Sequence, residues 1–267
     1  MDTSQINIGT MGWGYSDWNG AFYPKGLPAR EQLGHYSQVL NSVEIDSTHY
    51  ACPSKGIVEN WRNSVPDDFV FTAKVPRSIT HEMQLAPPSD KALEAFVETI
   101  SVLGNKLGAL LLQFPAEFTR AQLPEVREFL PILSQIAPHM RFAIEFRHRS
   151  LLSEDIREML QEYRIAQVAA DYAGLPRKFQ VTSDFVYMRL LGKHGSYTDH
   201  TRRQGDRTDD LQKWTNHLTV SLPNIEHAFV YCNNDYEGFS PNSCHRIKNL
   251  LNIPSVEKPR PVQPSLF

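Results

Sequence analysis

The sequence predicts an α/β protein: a single (β/α)8 TIM-like barrel over residues 1–253, followed by a flexible Pro-rich tail over 254–267. Three observations carry this expectation. Eight short apolar runs alternate with amphipathic stretches along the 267 residues, the pattern of a parallel sheet with helical crossovers. Each of the last seven runs closes on or next to a polar or charged residue. No Gly-x-Gly-x-x-Gly follows the first run, so an open dinucleotide-binding sheet is disfavoured, and the strand count favours closure.

The elements follow in order, sorted by the rule that side chains two apart in a strand share a face. The first run is Ile6–Thr10. The second, Ser42–Asp46, sets Val43 and Ile45 against Glu44 and Asp46. The third, Phe69–Lys74, sets Phe69, Phe71 and Ala73 against Val70, Thr72 and Lys74. The fourth, Ala109–Gln113, ends on Gln113. The fifth, Arg141–Glu145, places Phe142, Ile144 and the following Phe146 opposite Ala143, Glu145 and Arg147. The sixth, Gln167–Asp171, ends on Asp171. In the seventh, Phe185–Leu190, Val186, Met188 and Leu190 oppose Tyr187 and Arg189. The eighth, Ala228–Asn233, separates Val230 and Cys232 from Tyr231 and Asn233. Of the helical stretches, Lys91–Leu103 and Ser153–Tyr163 are clearest, the latter with Ser153 as N-cap and Glu154 and Asp155 in the first turn.

Apolar faces packing on helices leave the other faces pointing into the barrel. A ring of polar side chains then forms at the C-terminal strand ends, where this fold places its active sites: Glu44, Asp46, Lys74, Gln113, Glu145, Arg147, Asp171, Arg189 and Asn233. Buried charges are costly unless paired, and filling the barrel mouth would require none of them.

Composition narrows the classes. Hydrophobic residues at 41% and charged residues at 21% exclude a disordered or collagenous chain, and a net charge of −3 gives no global basic field for nucleic acid. No apolar run approaches the roughly 18 residues of a membrane span, and the N-terminus lacks a secretory pattern. Cys52, Cys232 and Cys244 have neither disulfide-framework nor metal spacing, so a cytoplasmic protein is expected.

Several phrases are specific in combination. Gly12-Trp13-Gly14-Tyr15-Ser16-Asp17-Trp18, Val43-Glu44-Ile45-Asp46-Ser47-Thr48-His49-Tyr50 and Phe71-Thr72-Ala73-Lys74 come first, followed by Leu111-Leu112-Gln113-Phe114-Pro115, Ala143-Ile144-Glu145-Phe146-Arg147-His148 and Tyr231-Cys232-Asn233-Asn234. In this order the chain resembles the YecE-like family, a domain of unknown function whose members resemble TIM barrels. The resemblance implies the fold and no reaction. Asp46 and His49 stand where that family commonly has Asn and Phe. Its Arg-x-His-Gly phrase is replaced by Arg189-Leu190-Leu191-Gly192.

The ring's mixed charge suits a substrate carrying phosphate or sugar hydroxyls. Glu44 and Glu145 are acid/base candidates, completed by Asp171 and Lys74. Arg147 and Arg189 are candidates to clamp an anion, and Trp13, Tyr15, Asp46, His49, Gln113 and Asn233 to bind substrate. Lys74 is read as an electrostatic partner rather than a Schiff-base nucleophile, because nearby carboxylates would keep it protonated. No metal is expected, since Lys74, Arg147 and Arg189 oppose one, and no motif names a cofactor. The basic segment 192–207, with Lys193, His194, Arg202, Arg203 and Arg207, is a candidate phosphate loop.

The tail ends Gln263-Pro264-Ser265-Leu266-Phe267, which resembles the peptide by which bacterial replication and repair proteins bind the sliding clamp. Gln263, Leu266 and Phe267 would make that contact. The expectation is thus a hydrolase or lyase acting on a phosphate- or sugar-containing substrate such as damaged DNA, or alternatively a non-catalytic nucleotide- or nucleic-acid-binding adaptor on the clamp.

Overall fold

Nine parallel strand segments form one sheet in a computed structural model that describes residues 5–254. They are β1 (Ile6–Met11), β2 (Ser42–Ile45), β3 (Val70–Lys74), β4 (Leu107–Gln113), β5 (Phe142–Glu145), β6 (Ala166–Gln167), β7 (Ala169–Tyr172), β8 (Phe185–Gly192) and β9 (His227–Cys232). The sheet order is β6-β5-β4-β3-β2-β1-β9-β8-β7. Its two ends, β6 and β7, are halves of one stretch of chain separated by Val168. The first half pairs with β5 and the second with β8, while the Val168 amide donates to the Ile144 carbonyl at 2.9 Å. The ring therefore closes as an eight-staved barrel. The sixth run predicted from the sequence is this split strand, broken where the chain changes partner.

Helices α1 (Ala29–Tyr36), α2 (Lys55–Asn63), α3 (Ser89–Ile100), α4 (Leu123–Ile136) and α5 (Glu154–Glu162) follow the first five strands. The connection 173–184 contains no helix. Then α6 (Thr208–Ser221) follows β8, and α7 (Asn234–Glu237) and α8 (Ser240–Leu250) follow β9. Ser153 takes the extended N-cap conformation before α5, but its hydroxyl donates to Asp155 (2.6 Å) rather than accepting from the helix backbone.

Alternation sorts the core into two layers. Val43, Ile45, Phe71, Ile144, Met188, Leu190 and Val230 pack outward against the helices. Ala109, Leu111, Ala143, Val168, Phe185, Tyr187, Phe229 and Tyr231 fill the barrel interior. Gly108 makes room there: a Cβ on it would lie 2.7 Å from the Phe229 ring. Above this apolar floor the filling turns polar, with Tyr187 and Thr72 hydroxyls 2.8 Å apart and Tyr231 and Ser42 hydroxyls 2.7 Å apart. The barrel thus grades from hydrocarbon at its base to hydroxyls and then charges at its mouth.

Candidate functional site

At the C-terminal strand ends lies a cavity of about 350 Å³, lined by Met11, Asp46, Lys74, Arg147, Tyr172, Arg189, Leu191, Gly192, His194, Asn233 and Asp235. Five of these, Asp46, Lys74, Arg147, Arg189 and Asn233, belong to the ring expected from the sequence, because inward-facing residues at the ends of β2, β3, β5, β8 and β9 converge there.

Arg189, from β8, is the centre of the floor. One guanidinium nitrogen donates to Glu44 at 2.8 Å and another to Glu145 at 2.5 Å. The second Glu44 oxygen accepts from the Tyr187 hydroxyl at 2.7 Å, and the second Glu145 oxygen is paired with Arg147. The result is a buried chain of alternating charge from β2 across β8 to two residues of the β5 end. The two glutamates are driven apart. Burial, with Asp46 adding, pushes the Glu44 carboxyl up despite Arg189 and Tyr187. Burial acts on Glu145 too, but Arg147 and Arg189 together outweigh it and hold that carboxyl below its ordinary value. Neither glutamate lines the cavity, and both are fully buried.

Lys74, Asp46 and Arg147 are among the charged groups that line the cavity, beside Arg189, His194 and Asp235. Lys74 Nζ lies 3.4 Å from Asp46, with 8% of the Lys74 side chain exposed against 36% for Asp46. Burial pushes the Lys74 amine down and Arg189 adds to it, outweighing Asp46, Glu44 and Glu145. The upward push expected from the nearby carboxylates is therefore outweighed by desolvation. Arg147 lays its guanidinium on the Tyr172 ring, 4.0 Å from the centroid.

Other candidates are placed differently. Asp171 is the clear correction. It faces outward, accepting from Trp214 Nε1 (3.0 Å), the Tyr236 hydroxyl (3.3 Å) and Arg177 (3.2 Å), and does not line the cavity. Its neighbour Tyr172 does, on the same face as Val168 and Ala170. Gln113 is buried and donates to the Phe114 carbonyl at 2.5 Å. His49 is buried edge-on to His81, ring centroids 4.8 Å apart. Burial, reinforced by Lys74, lowers its pKa to about 4. Trp13 packs edge-on to Trp61 at 5.6 Å. The Tyr15 hydroxyl is held by the Met11 carbonyl, and burial raises its pKa. Trp18 and Tyr23 are core residues of the first loop, packed with Phe22 and Phe239. Asn233 lines the cavity and caps α7, its side-chain oxygen accepting from the Asp235 amide at 2.9 Å.

Met11, Tyr172, Leu191 and Asp235 were not legible as site residues, and Gly192 was legible only as the start of the candidate phosphate loop. Alternation applied through Asp171 would have found Tyr172. Gly192 has φ +72°, and a Cβ there would lie 2.2 Å from the Asp235 carbonyl oxygen, so only glycine lets β8 pass this close to α7. In the segment after β8, the Gly195 amide donates to Asp235 at 3.1 Å, and Arg207 bonds Asp210 at 3.2 Å. Arg202 and Arg203 are exposed. Gln263, Leu266 and Phe267 lie outside the described residues. No group of three or more His, Cys, Asp or Glu among the described residues is arranged to hold a metal.

Fold and site define a TIM-like α/β-barrel protein with a small charged pocket at the C-terminal ends of its strands. The chain belongs to the family described as "Protein of unknown function DUF72", matching over residues 7–265. It is 30% identical over 153 residues to UPF0759 protein YecE of Escherichia coli K12. That alignment covers 57% of this chain and 52% of YecE, so the match spans about half the relative's length. The crystal structure of a DUF72 family protein from Thermotoga maritima superposes with a TM-score of 0.77 at 27% identity, covering 93% of this chain and 99% of that one. A DUF72 family protein from Enterococcus faecalis superposes with a TM-score of 0.78 at 21% identity, covering 97% and 99%.

Proposed function

We propose that the pocket binds one small anionic, hydroxyl-bearing molecule, a sugar phosphate or a single nucleotide unit, and that the protein is a hydrolase or lyase acting on it. The observation that carries this reading is the trio of Lys74, Asp46 and Arg147 on the wall of a cavity of about 350 Å³, at the lower end of ligand-site volumes. Arg147 spends its Nε side on Glu145 and its flat face on Tyr172, which fixes its orientation and leaves guanidinium N–H groups for an anion. Lys74 and Asp46 form the accessible proton-transfer couple. Glu44 and Glu145 act through Arg189, holding a fixed positive charge beneath the ligand. A nucleotide turned out of damaged DNA is one form of such a substrate.

The test is a panel of triose and pentose phosphates, a mononucleotide, and abasic, nicked and undamaged DNA, assayed for binding and turnover with and without divalent metal. Turnover of a phosphate-bearing member, lost in Arg147→Ala, supports the reading. Binding without turnover replaces it with the non-catalytic adaptor, and absence of both removes it.

A further inference from the structure

We propose that Lys74 works covalently, its amine adding to an aldehyde or ketone carbonyl of the bound phosphate ester to form an imine, with Asp46 moving the protons. This rests on the reading above and narrows it from hydrolase or lyase to an imine-forming lyase of carbonyl-bearing sugar phosphates.

Position is the first argument. Lys74 is the last residue of β3 and faces inward, its backbone fixed by pairing with Leu111 of β4 and by the Thr48 hydroxyl, which donates to its carbonyl at 2.7 Å. Its stem is buried and its Nζ reaches the cavity wall. A barrel strand end holds a nucleophile more rigidly than a loop does. The second argument is the company it keeps. The deep carboxylates Glu44 and Glu145 are committed to Arg189 and Arg147, which leaves Asp46 as the carboxylate paired with the amine. Arg189 and the low-dielectric floor favour the neutral amine, the form that attacks carbonyls. His49, packed against His81, is itself held neutral and supplies no competing charge. The third argument is Asp46. It is half-exposed, touches the amine and lines the cavity, so it reaches both nitrogen and substrate. Arg147, on the β5 end of the same cavity, is placed to hold the phosphate.

The chemistry balances without an external oxidant or reductant. The amine lone pair forms a C–N bond, and the carbonyl oxygen takes up a proton, giving a carbinolamine. Proton transfer through Asp46 expels that oxygen as water and leaves a protonated imine. Asp46 carboxylate then removes the proton on the adjacent carbon. The electron pair flows into a C–C double bond and neutralises the nitrogen. Collapse of this enamine breaks the C–O bond one carbon further on, releasing phosphate or an alkoxide with its bonding pair, and water finally hydrolyses the imine to return Lys74.

Full-length protein is incubated with glyceraldehyde 3-phosphate or deoxyribose 5-phosphate in the presence of cyanoborohydride, then analysed by intact mass and peptide mapping. The expected result is one reduced adduct on the peptide containing Lys74, absent in Lys74→Met. Asp46→Asn keeps the amine and should slow trapping by about 100-fold, the scale of a lost proton-transfer group. Arg147→Ala should slow trapping of glyceraldehyde 3-phosphate more than that of phosphate-free glyceraldehyde. Adducts spread over surface lysines with no excess at Lys74, while calorimetry still shows the phosphate binding, overturn the imine and leave the anion pocket standing. Failure of both trapping and binding overturns the two together.

Discussion

Arg189 is the residue on which the site's buried charges converge. It is the sole described partner bridging Glu44 and Glu145, both fully buried. Arg189→Met should therefore cost about 3–5 kcal/mol, the penalty of stranding a buried charge, read from urea unfolding. Adding Glu44→Gln and Glu145→Gln to that variant should recover a large part of the loss. Arg147→Ala leaves Glu145 its Arg189 partner and should cost only about 1–2 kcal/mol while abolishing anion binding. His49 gives a second measurement. Its folded pKa of about 4 lies below the ordinary histidine value of 6.5, so the unfolded chain takes up the proton first. Its contribution is complete above pH 6.5 and is lost as pH falls from there toward 4. His49→Asn should flatten the wild-type loss of melting temperature across that window. The inward set Glu44, Lys74, Glu145, Arg147 and Arg189 was legible because strict alternation fixes a face. The downward push on the Lys74 amine was not, since desolvation depends on a third dimension that charge counting omits.

At the scale of elements, the strands were legible and their last residues less so. Most strand bounds shift by one or two residues, and β8 runs on to Gly192, carrying Leu191 into the pocket. Asp171 shows what a strand-end polar residue means when its face is not checked. It joins β7 to α6 through Trp214 and to α7 through Tyr236. Asp171→Ala strands the Trp214 indole N–H and should cost about 1–3 kcal/mol by chemical denaturation, with ligand affinity in the pocket unchanged. A matching loss of affinity would return Asp171 to the site. The split of the sixth strand had no periodic signature, because Val168 is apolar, inward-facing and compatible with either partner.

At the scale of the whole molecule, the described barrel contains no helix long and apolar enough to cross a membrane. The segment Gln263–Phe267 is expected to bind a bacterial sliding clamp; deleting those five residues should abolish clamp capture in a pull-down and leave the melting temperature unchanged. A fall in melting temperature with no clamp binding would make the tail a latch. The split strand has a consequence for how the molecule fails. β5 and β6 pair over only Ala143–Ala166 and Ile144–Gln167, whereas β8 and β9 pair over six positions. The β5–β6 seam is therefore the more weakly paired of the two and is expected to open first. Solvent deuterium should enter the amides of residues 166–169 ahead of those in β8 and β9. Each such opening bares two raw strand edges on an otherwise edgeless sheet, so Val168→Pro, which removes the 2.9 Å bond to Ile144, should turn a well-behaved solution of this protein into one that clumps on storage.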